Sequence, residues 1–86
     1  MHTVERLEQA LRLADALGFT VRQEWLGGAT AGACELQGRR WLFVDLALSP
    51  SEQLEQVLDA LDSIASTQAV ADHPELRQVL QARKAA

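Results

Sequence analysis

Apolar residues recur every three to four positions along the first part of the chain. Over residues 3–17, charged residues fill the gaps between them, which is the period of an amphipathic helix. Gly18 follows, and glycine often ends a helix because it enters the left-handed backbone region without strain. The segment is therefore predicted to form an N-terminal helix. Its apolar stripe comprises Val4, Leu7, Leu11, Ala14 and Leu17.

After Gly18 the pattern changes to an alternation of apolar and polar residues, the period of two that is typical of a strand. Phe19 begins such a run over residues 19–26, and a second short run covers residues 33–37. RWLFVDL, over residues 40–46, is rich in the β-branched and aromatic residues that strands favour. The sequence therefore predicts three antiparallel strands in a meander.

The tetrapeptide SPSE marks the start of a second helix. Ser49 precedes a proline at the first helical position, and Glu52 follows three residues later, which is the arrangement of a capping box. Apolar residues recur at helical spacing as far as Ala65, and a last helix is predicted to begin at Asp72, just before Pro74. The prediction is a single α+β domain over residues 1–86, with an N-terminal helix, a three-stranded antiparallel meander, and two C-terminal helices packed on one sheet face.

Composition and charge exclude several classes of partner. The chain has 86 residues and a formal net charge of −4, and its arginines are spread among glutamates. It lacks the basic stripe that neutralises phosphates, so we expect no nucleic acid partner. The N-terminal segment is charged where a secretory signal is apolar, and no apolar run is long enough to span a membrane. A cytoplasmic protein without a membrane partner is therefore expected.

The stretch WLGGATAGAC contains Gly27, Gly28 and Gly32 and ends at Cys34, the only cysteine of the chain. A phosphate-binding loop needs Lys and Ser or Thr after its glycines at a helix start, and a dinucleotide site needs a different glycine spacing. Because this stretch leads into a strand, it is predicted to be a hairpin connection. The alternative is a mobile loop over residues 27–32 that covers a small-ligand site, with Cys34 at its floor.

The environment of Cys34 depends on the register of the second and third strands. A two-residue loop over residues 38–39 pairs Cys34 with Phe43, on the face of the aromatic residues. A three-residue loop over residues 37–39 pairs Cys34 with Leu42 instead, and this register is preferred because it gathers the apolar residues on one face. Cys34 is then predicted to be a small core residue without the neighbouring cation that activates a thiol.

No catalytic or metal-binding pattern is present. His2 and His73 are the only histidines, and a zinc site needs three or four converging His, Cys or carboxylate ligands. The acidic residues of the second helix share one face, as the solvated side of an amphipathic helix requires. No serine lies in a nucleophile-elbow pattern. We therefore expect no metal, no cofactor and no enzymatic activity.

The face of the sheet that turns away from the helices is the strongest candidate for a functional surface. In the preferred register Trp41 and Phe43 point outward on a face that no remaining element covers. Aromatic residues ringed by charges are typical of a protein interface, so this face is predicted to bind a protein partner, most simply a second copy in a homodimer. The alternatives are that a helix covers this face or that the other register holds. The predicted interface comprises Trp41, Phe43, Arg22, Glu24, Glu35 and Asp45.

The segment from the glycine-rich stretch to the second helix contains Gly32, Cys34, Gly38, the strand end LFVD over residues 42–45 and EQL over residues 52–54. In these residues the chain resembles a family of short, planctomycete-like bacterial proteins that have no assigned activity. The strand-to-helix step also resembles the domain preceding catalysis in bacterial zinc-dependent regulatory proteases. The HExxH motif of that family is missing, so protease activity is not implied. The order of elements is similar to secretion-chaperone-like domains, and that resemblance implies dimers that hold partner proteins.

Overall fold

The structure, a computed structural model, describes residues 2–27 and 32–85. Four helices and three strands lie in this part of the chain, which confirms the predicted α+β class. None of these helices combines the length and the apolar character that crossing a membrane requires. In chain order the elements are α1 (Thr3–Ala16), β1 (Phe19–Glu24), β2 (Gly32–Leu36), β3 (Arg39–Asp45), α2 (Pro50–Ser63), α3 (Thr67–Asp72) and α4 (Pro74–Ala85).

Local signals set the boundaries of α1 and α2. Gly18 follows α1 with φ +97°, the left-handed conformation expected of a residue that ends a helix. At the start of α2 the Glu52 N–H donates to Ser49 Oγ at 3.2 Å. The Ser49 N–H donates in return to Glu52 Oε1, also at 3.2 Å. Both halves of the predicted capping box are therefore formed.

The three strands form a mixed sheet, so the prediction of an antiparallel meander is wrong. β3 lies in the centre, with β1 parallel to it on one side and β2 antiparallel on the other. Leu42 and Val44 of β3 are completely buried, whereas β2 has no buried side chain. The most apolar strand gains the most burial free energy in the central position, because helices cover one of its faces fully there. β1 and β2, although consecutive in the chain, are therefore the two edge strands.

The hairpin between β2 and β3 adopts neither of the predicted registers. Leu36 pairs with Arg39 and Cys34 pairs with Trp41. The two-residue loop consists of Gln37 and Gly38, whose φ angles are +53° and +78°. Positive φ at both positions is the pattern of a type I′ turn, whose twist matches that of the flanking strands. Glutamine seldom occupies the left-handed region, and for that reason the sequence did not indicate this turn.

One face of the sheet carries the core. Phe19, Leu42 and Val44 on this face pack in a single cluster with side chains from three helices. The Cα atoms span 37 × 35 × 17 Å, and the short dimension corresponds to one sheet and one layer of helices. The helical members of the cluster are Leu7, Ala10, Leu13 and Ala14 from α1, Leu54, Val57, Leu58, Ala60 and Leu61 from α2, and Leu76 from α4.

Three helices follow the sheet, one more than the two that were predicted. The additional helix α3 begins because Ser66 caps it, with the Ala69 N–H donating to Ser66 Oγ at 3.1 Å. None of its side chains is buried, and it packs against α4. The sequence analysis assigned no helix to this segment, since six residues are too few for a clear helical period.

Helix α4 is joined to α2 through a charged contact on the outer side of the molecule. Arg83 donates to Glu55 Oε2 at 2.9 Å and also hydrogen-bonds to Asp59. The hydrogen bond to Asp59 raises the pKa of the Arg83 guanidinium above its usual value. Part of the α2 face interpreted as solvated is therefore engaged by α4, in addition to the apolar contact at Leu76.

Candidate functional site

The candidate site is the sheet face opposite the core, named here the open face. Strand pairing determines its members, since paired residues project to the same side of a sheet and successive residues to opposite sides. Trp41 pairs with Thr20 on one side and with Cys34 on the other. Phe43 pairs with Arg22 and Gly32. The open face therefore comprises Thr20, Arg22 and Glu24 of β1, Gly32, Cys34 and Leu36 of β2, and Arg39, Trp41 and Phe43 of β3.

Trp41 and Phe43 form the centre of the open face. Their rings stack with centroids 5.8 Å apart and an angle of 8° between the ring planes. This separation is within the range of favourable aromatic pairs, which contribute about 0.5–1.5 kcal/mol beyond their burial. Both side chains are partly exposed, and neither belongs to the core cluster. The pair is therefore a preformed aromatic surface that the protein holds outside its own core.

Two arginines lie at opposite ends of this aromatic pair. Arg22, beside Phe43, forms an ion pair with Glu24 at 3.0 Å. Arg39 is exposed at the start of β3 and forms no ion pair with any other described residue. Arg22 and Arg39 against Glu24 and the buried Asp45 give this side of the sheet a net charge of 0, whereas the whole chain carries −4. The open face is thus more positive than the protein as a whole.

Cys34 lies on the open face and not in the core. The preferred register paired it with Leu42, but the hairpin pairs it with Trp41, so the predicted core position is wrong. The thiol is free and partly buried. Its strand neighbour on the same face is Leu36, whose relative exposure is 53%. Cys34 and Leu36 therefore extend the apolar surface of Trp41 toward the β2 edge.

Two of the acidic residues assigned to this surface do not lie on it as predicted. Glu35 pairs with Arg40, on the helix side of the sheet, because the actual register reverses the predicted orientation. Asp45 ends β3 and is only 1% exposed. Its carboxylate accepts hydrogen bonds from the N–H groups of Leu26, at 3.0 Å, and Ala47, at 2.9 Å. Asp45 is therefore a structural residue that binds backbone, and it is not part of an exposed charged rim.

The glycine-rich loop can be described only at its two ends. Gly27 and Gly32 have φ angles of +60° and +99°, the left-handed conformation that glycine adopts easily. Gly28 and the other residues of 28–31, and with them most of the predicted ligand loop, lie outside the described residues.

Beside Gly32, a cavity of about 400 Å³ lies between β2 and α2. Its walls comprise Gly32, Ala33, Gln56, Asp59, Ala60 and Ser63.

An exposed aromatic residue, Trp25, lies just beyond the end of β1. Trp25 was assigned to the first strand, but β1 ends at Glu24 and Trp25 is 76% exposed. Alternation alone could not reveal this, since it does not show where a strand ends.

Among the described residues, no three His, Cys, Asp or Glu side chains cluster in a way that could hold a metal ion.

No protein-family model matches the sequence, and the chain matches neither a curated protein nor a solved structure.

Proposed function

We propose that this protein is a non-enzymatic protein-interaction module and that the open face is its docking surface. The observation that carries the proposal is the stacked pair of Trp41 and Phe43, which lies on the sheet face opposite the core. Aromatic side chains bury about 150–250 Å² each, and they are enriched at the energetic centres of protein interfaces. A pair already held in one arrangement loses little further entropy when a partner covers it.

The composition around the pair supports the same function. Apolar residues lie at the centre and charged residues at the ends, as in the core and rim of a typical interface. Leu36 adds exposed apolar area on the β2 side, and Arg22 and Glu24 add a polar edge on the β1 side. The occupant is a polypeptide, either a second copy or another protein, in keeping with the resemblance to secretion-chaperone-like domains.

Site-specific photocrosslinking in cells that produce the protein naturally tests this function. A benzoylphenylalanine replaces Phe43, and the matched control carries the same group in place of Trp25, which is exposed but lies outside the sheet. We expect a discrete covalent adduct from position 43 and a weaker one, or none, from position 25. The mass of the adduct distinguishes a second copy from another protein.

A second variant separates docking from accidental crosslinking. Trp41→Thr removes the aromatic ring but keeps a residue that favours strands, and Trp25→Thr makes the same change off the sheet. Trp41→Thr should abolish the adduct from position 43 while the far-UV circular dichroism stays native, and Trp25→Thr should leave the adduct intact. Equal crosslinking from both positions, or an adduct insensitive to Trp41→Thr, would contradict the proposal.

A further inference from the structure

The dimensions of the open face favour a narrow occupant. Its strands contain six, five and seven residues. Strands lie about 4.8 Å apart and rise about 3.3 Å per residue, so the face is about 14 Å wide and about 20 Å long. Its flat footprint is therefore about 300 Å², and although side-chain relief makes its accessible area larger, three short strands are a small base for the roughly 800 Å² of accessible surface that each partner buries in a standard stable complex. A stacked homodimer would need additional surface beyond this face.

An α-helix has the dimensions that the face accepts. With its side chains a helix is about 10–12 Å in diameter, and four turns extend about 20 Å. The other face of the same sheet already packs against helices α1 and α2. A helix with apolar residues at three- and four-residue spacing would place one stripe along Trp41 and Phe43. A helix on the open face would complete a three-layer arrangement of helix, sheet and helix.

The charges of the open face indicate the polar residues of that helix. Arg39 has no carboxylate partner among the described residues, and Arg22 shares Glu24 at the other end of the aromatic pair. Asp45 lies at the Arg22 end of the face, beside Glu24, so the arginine without an acidic neighbour is Arg39. A second copy would bring no free exposed carboxylate to Arg39, since Glu24 is paired with Arg22 and Asp45 is buried, whereas acidic side chains beside an apolar stripe would complement Arg39.

We propose that the open face binds an acidic amphipathic helix of another protein. Leucine-type side chains of this helix cover Trp41 and Phe43, and its carboxylates lie against Arg39 and Arg22. The inference rests on the proposed function and adds the chemistry of the partner. Because the contact area is small, the complex is a transient one that is sensitive to salt.

Two synthetic 18-residue peptides serve as probes. They carry leucines at identical i, i+3, i+4 and i+7 positions, and their flanking positions are glutamate in one peptide and lysine in the other. The Trp25→Phe variant leaves Trp41 as the only tryptophan, so that its fluorescence reports binding at the face. We expect the acidic peptide to bind at least about tenfold more tightly than the basic one, with the difference shrinking at high salt.

Charge reversal identifies the residues responsible. Arg39→Glu should weaken binding of the acidic peptide at least about fivefold and strengthen binding of the basic peptide. Arg77→Glu is the matched control, because Arg77 is exposed on α4 and remote in sequence and element from the sheet. The neutral variant Arg39→Gln should fall between wild type and Arg39→Glu, and it covers the case in which the reversed charge disturbs folding.

The outcomes separate this inference from the proposed function. Equal affinity for the two peptides, preference for the basic peptide, no binding of either, or acidic binding insensitive to Arg39→Glu would each overturn the inference. If position 43 crosslinks a second copy and Trp41→Thr abolishes that adduct, the docking function stands and the acidic-helix partner is wrong. If position 43 yields no specific adduct and neither peptide binds, both fail.

Discussion

The Asp45 carboxylate accepts a hydrogen bond from the backbone N–H of Leu26 at 3.0 Å. Asp45 ends the central strand β3, and Leu26 lies two residues beyond the end of the parallel edge strand β1. The same oxygen accepts the N–H of Ala47, so a single buried side chain binds two backbone segments. The segment after β1 is thereby held against the segment after β3. Because β1 and β3 are parallel, no hairpin joins them at this end of the sheet.

Asp45→Ala should lower the free energy of unfolding by about 2–4 kcal/mol, because it leaves two partly buried N–H groups without this acceptor. Asp45→Asn keeps one oxygen acceptor and should lower the free energy of unfolding clearly less than Asp45→Ala does. Urea denaturation followed by circular dichroism measures both variants, and Asp62→Ala, at an exposed carboxylate of α2, is the control. A loss below about 0.5 kcal/mol in Asp45→Ala would contradict the structural role of this carboxylate.

Gln37→Asn should stabilise the protein by about 0.5–1 kcal/mol. Gln37 has φ +53° in the two-residue turn before Gly38, and asparagine tolerates this conformation better than glutamine does. The same substitution at Gln81, an exposed residue of helix α4, should be neutral or slightly destabilising, because asparagine is the poorer helix former. Thermal unfolding compares the two variants, and Gln37→Val should shift the midpoint in the opposite direction.

This turn also shows which parts of the fold the sequence could predict. Signals that act within a few residues, such as Gly18 after α1 and the pair of Ser49 and Glu52 before α2, gave the helix boundaries. Strand order depends on a competition between distant segments for the central position, and no local pattern encodes it. The register depended on one glutamine in a conformation that glutamine seldom adopts, so it was wrong by one residue.

The candidate surface, too, could be predicted from the sequence only in part. Alternation within β3 places Trp41 and Phe43 opposite Leu42 and Val44, and the aromatic pair points outward although the register is not the predicted one. Cys34, Glu35 and Asp45 depended on strand pairing or on burial at the end of the strand, and all three predicted positions were wrong. The stacking of the two aromatic rings is a matter of side-chain rotamers, and it could be found only in the structure.

Ser49→Ala should lower the free energy of unfolding by about 1 kcal/mol, since it removes the side-chain half of the capping box. Ser51→Ala, two residues later on the exposed side of the first turn, is the control and should be neutral or slightly stabilising. Hydrogen exchange gives a local readout, because the Glu52 amide should lose protection only in Ser49→Ala. Equal losses in the two serine variants would show that the cap contributes nothing specific.

Arg83 should contribute a coupling energy that depends on salt and not on pH above neutrality. Its hydrogen bonds to Glu55 and Asp59 join α4 to α2 at a partly exposed position, where such pairs contribute about 0.2–1 kcal/mol. A double-mutant cycle with Arg83→Met and Asp59→Asn measures the coupling as the free energy of unfolding that the two single changes do not account for. It should be largest at low ionic strength and decrease markedly in 1 M salt, at which the screening length is about 3 Å.

The pH dependence of this coupling follows from the sign of the Arg83 shift. The hydrogen bond to Asp59 raises the pKa of a group that is already charged at every ordinary pH. A raised pKa in the folded state gives stabilisation that is present below the unfolded pKa and is lost only as the pH rises through the folded pKa. The coupling should therefore stay constant from neutral pH to about pH 10, well below the titration of arginine. A coupling that declines in this range would contradict its assignment to a guanidinium that stays charged throughout.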